Sequence, residues 1–375
     1  MSATFWTDPM PTHKTSAWPL ALVYIGLIVY ASLYPFSGWR DQGVEPWWFL
    51  TAALPRYWTG FDVVSNLLGY MPLGFFLALS ALRTGREAYA LRLPLLAALL
   101  LSLGMETLQV YLPQRVSSNL DLLLNVAGAA LGSASAWGME RLGWLQRWSR
   151  FRAQWFVEEA RGGLVLLALW PLALLFPAVV PFGLGQVMER VESALALALE
   201  DSPLIEWLPL RDLELQPMLP AVEWLCVFLG VLIPCLLGFC IIRSTYRRAL
   251  FLLWVLVLGV GSTALSTALS FGPAYAWVWL NLPVKVALAS AAVVSGALIG
   301  APRRASAALA LLALGVDLSL INQSAVGPYF EQTLYSWEQG QFIRFHGLAQ
   351  WLGWGWPFAV LVYVLGLLWG KNLKT

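Results

Sequence analysis

Glu106, Gln109, Arg115, Asp121 and Asn125 lie close together in a chain that is otherwise strongly apolar. A charged side chain at the centre of a membrane helix costs roughly 2.5 to 3.5 kcal/mol on insertion scales, so a cluster of such groups marks a functional-site hypothesis. The residue types suggest separate roles. Glu106, Asp121 and, upstream, Asp62 are the candidate catalytic carboxylates, Glu106 as a general base or charge-balancing group and the two aspartates as groups that orient or coordinate a metal. Arg115 carries the planar fork that suits phosphate or carboxylate, and Arg40 is a second cation at the same level. Asn66, Gln109 and Asn125 can hydrogen-bond sugars or amides. Spacing groups them further: Glu106 and Gln109 stand at i,i+3, while Asp62 with Asn66 and Asp121 with Asn125 stand at i,i+4, so each pair shares one helical face.

The elements that carry these residues follow from composition. The 375 residues are 59% hydrophobic and 12% charged, against about 25% charged in soluble domains. This is an all-α, polytopic transmembrane helical bundle. A bilayer core needs about 20 apolar residues per helix, and about ten spans are expected, near 18–34, 63–82, 91–112, 120–139, 164–180, 221–242, 249–270, 274–298, 305–321 and 351–369. The first apolar run lacks a small-residue cleavage motif and is read as a retained span rather than a signal peptide.

Lys and Arg alternate between the loops in support of that partition. Lys14, the Arg83–Arg86–Arg92 group, Arg141 to Arg161, Arg243 to Arg248, Arg303, Arg304, Lys371 and Lys374 fall on one side and include most of the 23 basic residues. Arg40, Arg56, Arg115, Arg190, Arg211 and Arg344 fall on the other. The positive-inside rule then places both termini in the cytoplasm, with the chain in a bacterial inner membrane. Three parts are expected: a four-span module over 1–140, a basic interfacial linker over 141–163 and a six-span module over 164–375. Two outer loops, 181–220 and 322–350, are long enough to hold structure, the first as an amphipathic surface helix.

Other chemistries find no support in the residues. The net charge of +2, without a basic patch, excludes nucleic acid as a natural partner. Cys226, Cys235 and Cys240 have no metal-binding spacing and read as buried inert thiols, and two histidines, His13 and His346, make no metal site. No serine elbow, His-Glu zinc motif or glycine-rich nucleotide loop occurs, so no enzyme class and no cofactor is assigned. Topology puts Glu106 about 9 Å of helix from the outer end of its span, in the outer leaflet with Asp62, Asn66, Asp121 and Asn125. Spans two to four carry no midplane charge, which argues against a proton relay across this module.

Structural alternatives exist for each group. Asp62 and Asp121 also fit N-caps, Asn66 and Asn125 fit interhelical hydrogen bonds, and Glu106 fits an ion pair with Arg115. Gly128 and Gly132 form a GxxxG pair that favours close helix packing within or between chains.

The order of Tyr34-Pro35-Phe36, Gly38-Trp39, Asp62 with Asn66, Pro72-Leu73-Gly74-Phe75, Glu106 with Gln109, Arg115, Ser117, and Asp121 with Asn125, Gly128 and Gly132 resembles the VanZ-like family over residues 18–140. Residues 164–375 resemble the extension of longer members through Asn322, Pro328-Tyr329-Phe330, Trp337, Gly340, Phe345 and Trp356-Pro357. The resemblance implies a cell-envelope setting linked to glycopeptide (teicoplanin) resistance or exopolysaccharide assembly.

Two readings of the module remain open. In the first it recognises or processes an anionic envelope lipid, such as a polyprenyl-linked glycan or a peptidoglycan precursor. In the second it is a transporter, a lipid-binding protein or a scaffold for envelope-assembly proteins, with no covalent chemistry. A secondary polar set, Asp317, Glu331 and His346, is expected at the outer side of the C-terminal module.

Overall fold

The computed structural model describes residues 17–34, 36, 38–55, 57–176, 178–200, 202, 218–323 and 343–369, with backbone only for Phe61, Ser193 and 343–348. Among these residues the chain is helical apart from turns and one isolated β-bridge. Eight helices are long and apolar enough to cross a membrane, and two shorter apolar helices, Ala17–Leu33 and Arg161–Ala173, accompany them. The protein is a polytopic helical membrane protein with about ten apolar segments. Two compact units divide the chain, Met1–Arg150 and Phe151–Thr375.

In the first unit, α1 (Ala17–Leu33), the short α2 (Trp48–Thr51), α3 (Gly60–Arg83), α4 (Tyr89–Gln109) and α5 (Asn119–Arg141) form a small bundle. The pairing of α3 with α5 is built from absent side chains. A Cβ on Gly74 would overlap the backbone of Ala129, one on Gly128 the carbonyl of Leu67, and one on Gly132 the carbonyl of Met71. Small residues let two backbones approach to the point where packing, rather than the hydrophobic effect, holds helices together in lipid. The GxxxG pair therefore joins helices within the chain. Leu73, Leu77 and Ala129 fill the seam with Ala21 of α1 and Ala98 of α4.

The segment between α1 and α3 folds over one end of this bundle. Arg40 N–H donates to the Tyr111 carbonyl at 3.0 Å, Gln42 Nε2 to the Val110 carbonyl at 2.6 Å, and Asn119 Nδ2 to the Ala52 carbonyl at 2.8 Å. Phe49 of α2 is fully buried, whereas Trp47, Trp48, Tyr57 and Trp58 are exposed. Exposed aromatics at a helix-bundle end suit the membrane headgroup zone.

α6 (Trp144–Trp155) crosses the boundary between the units. In the second unit, α7 (Arg161–Ala173), α8 (Met188–Leu199), α9 (Pro220–Ile241), α10 (Thr245–Phe271), α11 (Leu282–Ala297), α12 (Arg303–Ile321) and α13 (Ile343–Trp369) follow. α9 is the hub, apolar on every face and packed on α7, α10, α11 and α12. A helix hydrophobic all round belongs at the centre of its bundle. Cys226, Cys235 and Cys240 lie along it as buried free thiols. The buried Arg248 is matched by carbonyls at helix ends, with Nη1 donating to Ile299 at 2.9 Å and to Ala301 at 2.7 Å.

Three segments depart from expectation. The span expected over 164–180 ends as helix at Ala173, although Val180, Phe182 and Leu184 beyond it are still buried in the core. Hydropathy reads burial rather than helix, and prolines at 171, 177 and 181 withhold backbone donors from that stretch. The span expected from 274 begins at Leu282. Gly272 at φ +95° ends α10, and Asn281 caps α11 by accepting from Val284 N–H at 2.9 Å. The outer loop expected over 322–350 is helical from Ile343 onward.

Candidate functional site

The polar residues of the first unit gather where α4 ends and α5 begins. α4 stops at Gln109, a turn follows through Leu112, and Ser118 caps α5 by accepting from Leu120 N–H at 3.1 Å. This turn closes on Glu106. The Ser117 hydroxyl donates to the Glu106 carbonyl at 2.6 Å, and Ser118 N–H donates to Glu106 Oε2 at 2.8 Å. The carboxylate is 4% exposed. Burial of such a group requires charge-assisted partners, and the first free N–H groups of α5 supply one, with the positive end of the helix dipole behind it.

Around Glu106 the cluster is rich in acceptors. Asp121, in the first turn of α5, lies close enough for the two carboxylates to interact. One turn further, buried Asn125 donates through Nδ2 to the Ser102 hydroxyl of α4 at 2.9 Å. Its other end, Oδ1, is buried without a hydrogen-bond partner among the described residues. The hydroxyl of Tyr70 on α3 is buried in the same cluster, paired with Ser102 and within electrostatic reach of Glu106. A buried polar atom left unpaired costs about 1 to 3 kcal/mol. Asn125 Oδ1 is such an atom, and a ligand that donates to it would supply the missing partner.

Other residues expected at the site are held in different ways. Asp62 is exposed and forms a capping box with Thr59: Thr59 N–H and Oγ1 donate to Asp62 Oδ2 at 3.0 and 2.8 Å, and Asp62 N–H donates to Thr59 Oγ1 at 3.2 Å. This box accounts for Asp62 by helix capping. Arg115 Nη2 donates to the carbonyls of Tyr34 at 3.1 Å and Ala31 at 3.4 Å, at the C-terminal end of α1. A guanidinium satisfies the free carbonyls and the negative dipole there. Gln109 Nε2 donates to the Ser32 carbonyl at 2.9 Å, tying α4 to the same end of α1. Arg40 is exposed on the covering segment, and Asn66 is half-buried on α3 one turn before Tyr70.

Tyr70 and Ser102 are absent from the sequence-based set. Helical spacing was the signal available for both: Tyr70 follows Asn66 by four residues and Ser102 precedes Glu106 by four, so each extends a polar face already marked.

In the second unit, Asp317 is buried on α12, with Oδ1 lacking a hydrogen-bond partner among the described residues, and it lies near Cys226 of α9. Asn322 binds backbone on two sides. Its Oδ1 accepts from Val187 and Met188 N–H at 3.0 Å each, where α8 begins, and its Nδ2 donates to the Gly185 carbonyl at 3.0 Å. Glu331 and the side chain of His346 lie outside the described residues, as do Arg56, Glu338 and the side chain of Arg344. Among the described residues no three His, Cys, Asp or Glu side chains converge as a metal site.

Comparison with curated proteins gives no match, and comparison with solved structures gives none either. The VanZ/LLP1 family model matches residues 1–140, the segment that carries α1 to α5 and the Glu106 cluster. The N-terminal part of this membrane protein is a VanZ-like domain.

Proposed function

We propose that the VanZ-like domain recognises the polar headgroup of an envelope lipid or lipid-linked glycan precursor from the outer leaflet of a bacterial cytoplasmic membrane. The carrying observation is Asn125 Oδ1, buried without a partner among the described residues, grouped with the Tyr70 hydroxyl and the Glu106 and Asp121 carboxylates. This set accepts hydrogen bonds, so it suits the hydroxyls of a sugar or the N–H groups of a peptide or amine. An anionic portion of the same ligand falls to Arg40 on the covering segment. Arg115, bonded to the end of α1, acts as a positioning residue.

The family match supports an envelope setting, and glycopeptide resistance and exopolysaccharide assembly are the settings the reading favours. Recognition alone suffices for the geometry, and no covalent step is assigned. A packing role is the second reading. It is favoured by the bonds from Ser117 and Ser118 to Glu106, which close the α4–α5 turn without any ligand.

The two readings separate by native mass spectrometry of the protein extracted with its own membrane lipids, wild type against Asn125→Leu and Tyr70→Phe. A retained polyprenyl phosphate or glycan lipid that is lost in both variants is the expected result. The same ordinary phospholipids on all three proteins would sink the recognition reading and leave packing.

A further inference from the structure

At the opposite end of the first unit, the start of α1, the end of α3 and the start of α4 enclose a groove of about 880 Å³. Trp18, Ser80, Thr84, Arg86, Tyr89 and Leu93 line it. Such a volume falls within the usual range of small-molecule sites, roughly 300 to 1,000 Å³. The rim is aromatic and exposed, with Trp18 and Tyr89 about half accessible, while Ser80 is buried in the wall.

Arg86 is held over the groove by the way α3 stops. Gly85 takes φ +72°, a left-handed backbone that favours glycine. Arg86 N–H then reaches back to the Ala81 carbonyl at 2.9 Å and Gly85 N–H to the Leu82 carbonyl at 3.2 Å. These two bonds make a Schellman cap. Tyr89 N–H donates to the Arg86 carbonyl at 2.9 Å, so the same turn leads directly into α4. The cationic side chain thus rises from a backbone bonded on both sides.

The surroundings fit a lipid headgroup better than a soluble ion. Arg83, Arg92 and Arg141 mark this end as the basic end of the unit, with Arg141 stacked over Trp137 at 3.9 Å, against Glu87 and Glu140. Basic pockets between membrane helices on the cytoplasmic side select anionic headgroups, and Trp and Tyr rings sit at headgroup depth. The side chains of Leu93 and Ala81 add apolar lining suited to the glycerol and upper acyl carbons.

We propose that this groove is a binding site for an anionic phospholipid of the cytoplasmic leaflet, with Arg86 holding the phosphate and Trp18 and Tyr89 flanking the headgroup. The site is independent of the Glu106 cluster, so either proposal can fail alone. The test uses the purified, delipidated full chain titrated with phosphatidylglycerol and, separately, phosphatidylcholine, with bound lipid counted by native mass spectrometry. Arg86→Ala keeps the backbone cap, because the bond to Ala81 is made by the main chain.

Phosphatidylglycerol should bind more tightly than phosphatidylcholine, and R86A should weaken it roughly fivefold, the loss of about 1 kcal/mol for one arginine near the surface. Arg92→Ala removes the same charge outside the groove and should weaken binding by clearly less than R86A does. Equal binding by wild type and R86A, or equal loss in R92A, would overturn the proposal. So would displacement of phosphatidylglycerol by inorganic phosphate at equal concentration, which would identify a site for the free anion.

Discussion

Glu106 illustrates how one buried side chain can hold a turn together within a polar cluster. Its carboxylate accepts from Ser118 N–H and its carbonyl from the Ser117 hydroxyl, so the turn between α4 and α5 is bonded to it twice. Glu106→Ala leaves the Ser118 N–H without that acceptor and should lower stability by about 1 to 3 kcal/mol. Glu106→Gln keeps an amide oxygen in place and should lie much closer to wild type. Thermal unfolding in detergent checks the pair, and equal losses in both would show that charge, rather than acceptor geometry, holds the turn. Arg115 teaches the converse. A guanidinium in an outer turn reads from sequence as a phosphate grip, but two of its bonds go to α1 carbonyls. The type of a residue was legible in the sequence, but the direction in which it points was not.

At the level of the element, glycine spacing is informative only together with the partner helix. Gly128 and Gly132 face the backbone of α3, whereas nothing lies within 4 Å of a Cβ placed on Gly69 of the same helix pair. Gly132→Val should cost about 1 to 3 kcal/mol through overpacking. Gly69→Ala should be neutral or stabilising by up to roughly 1 kcal/mol, since alanine favours helix and meets no neighbour. Chemical denaturation of the two variants tests the contrast, and equal effects would contradict a backbone contact through Gly132. Helix ends follow a similar logic. The Thr59–Asp62 box, the Ser118 cap and the Asn281 cap are visible as residue types before apolar runs, and each forms. The end of α7 had no comparable mark, because its apolar run continues into buried, irregular chain.

For the whole molecule, the charge pattern makes a topological prediction. A cysteine introduced at Glu87, in the α3–α4 turn, should be shielded from a membrane-impermeant thiol reagent in intact cells. One introduced at Gln114, in the α4–α5 turn, should react. The three native thiols are buried and should contribute little background. The opposite labelling would reverse the orientation and move the Glu106 cluster to the cytoplasmic leaflet.

Composition and charge by themselves determined the class of protein, the approximate number of apolar segments and the stretch in which polar groups cluster. They do so because the cost of burying charge in lipid is large and local, so it is written into each segment independently. Hydrogen-bond partners are not local. Only the tertiary structure decided that Arg115 caps α1, that Tyr70 and Ser102 join Glu106 and Asn125, and that α9 is the buried hub of the second unit. Each depends on which helix face meets which neighbour, a choice made by close packing of small residues across the seam rather than by hydropathy along the chain.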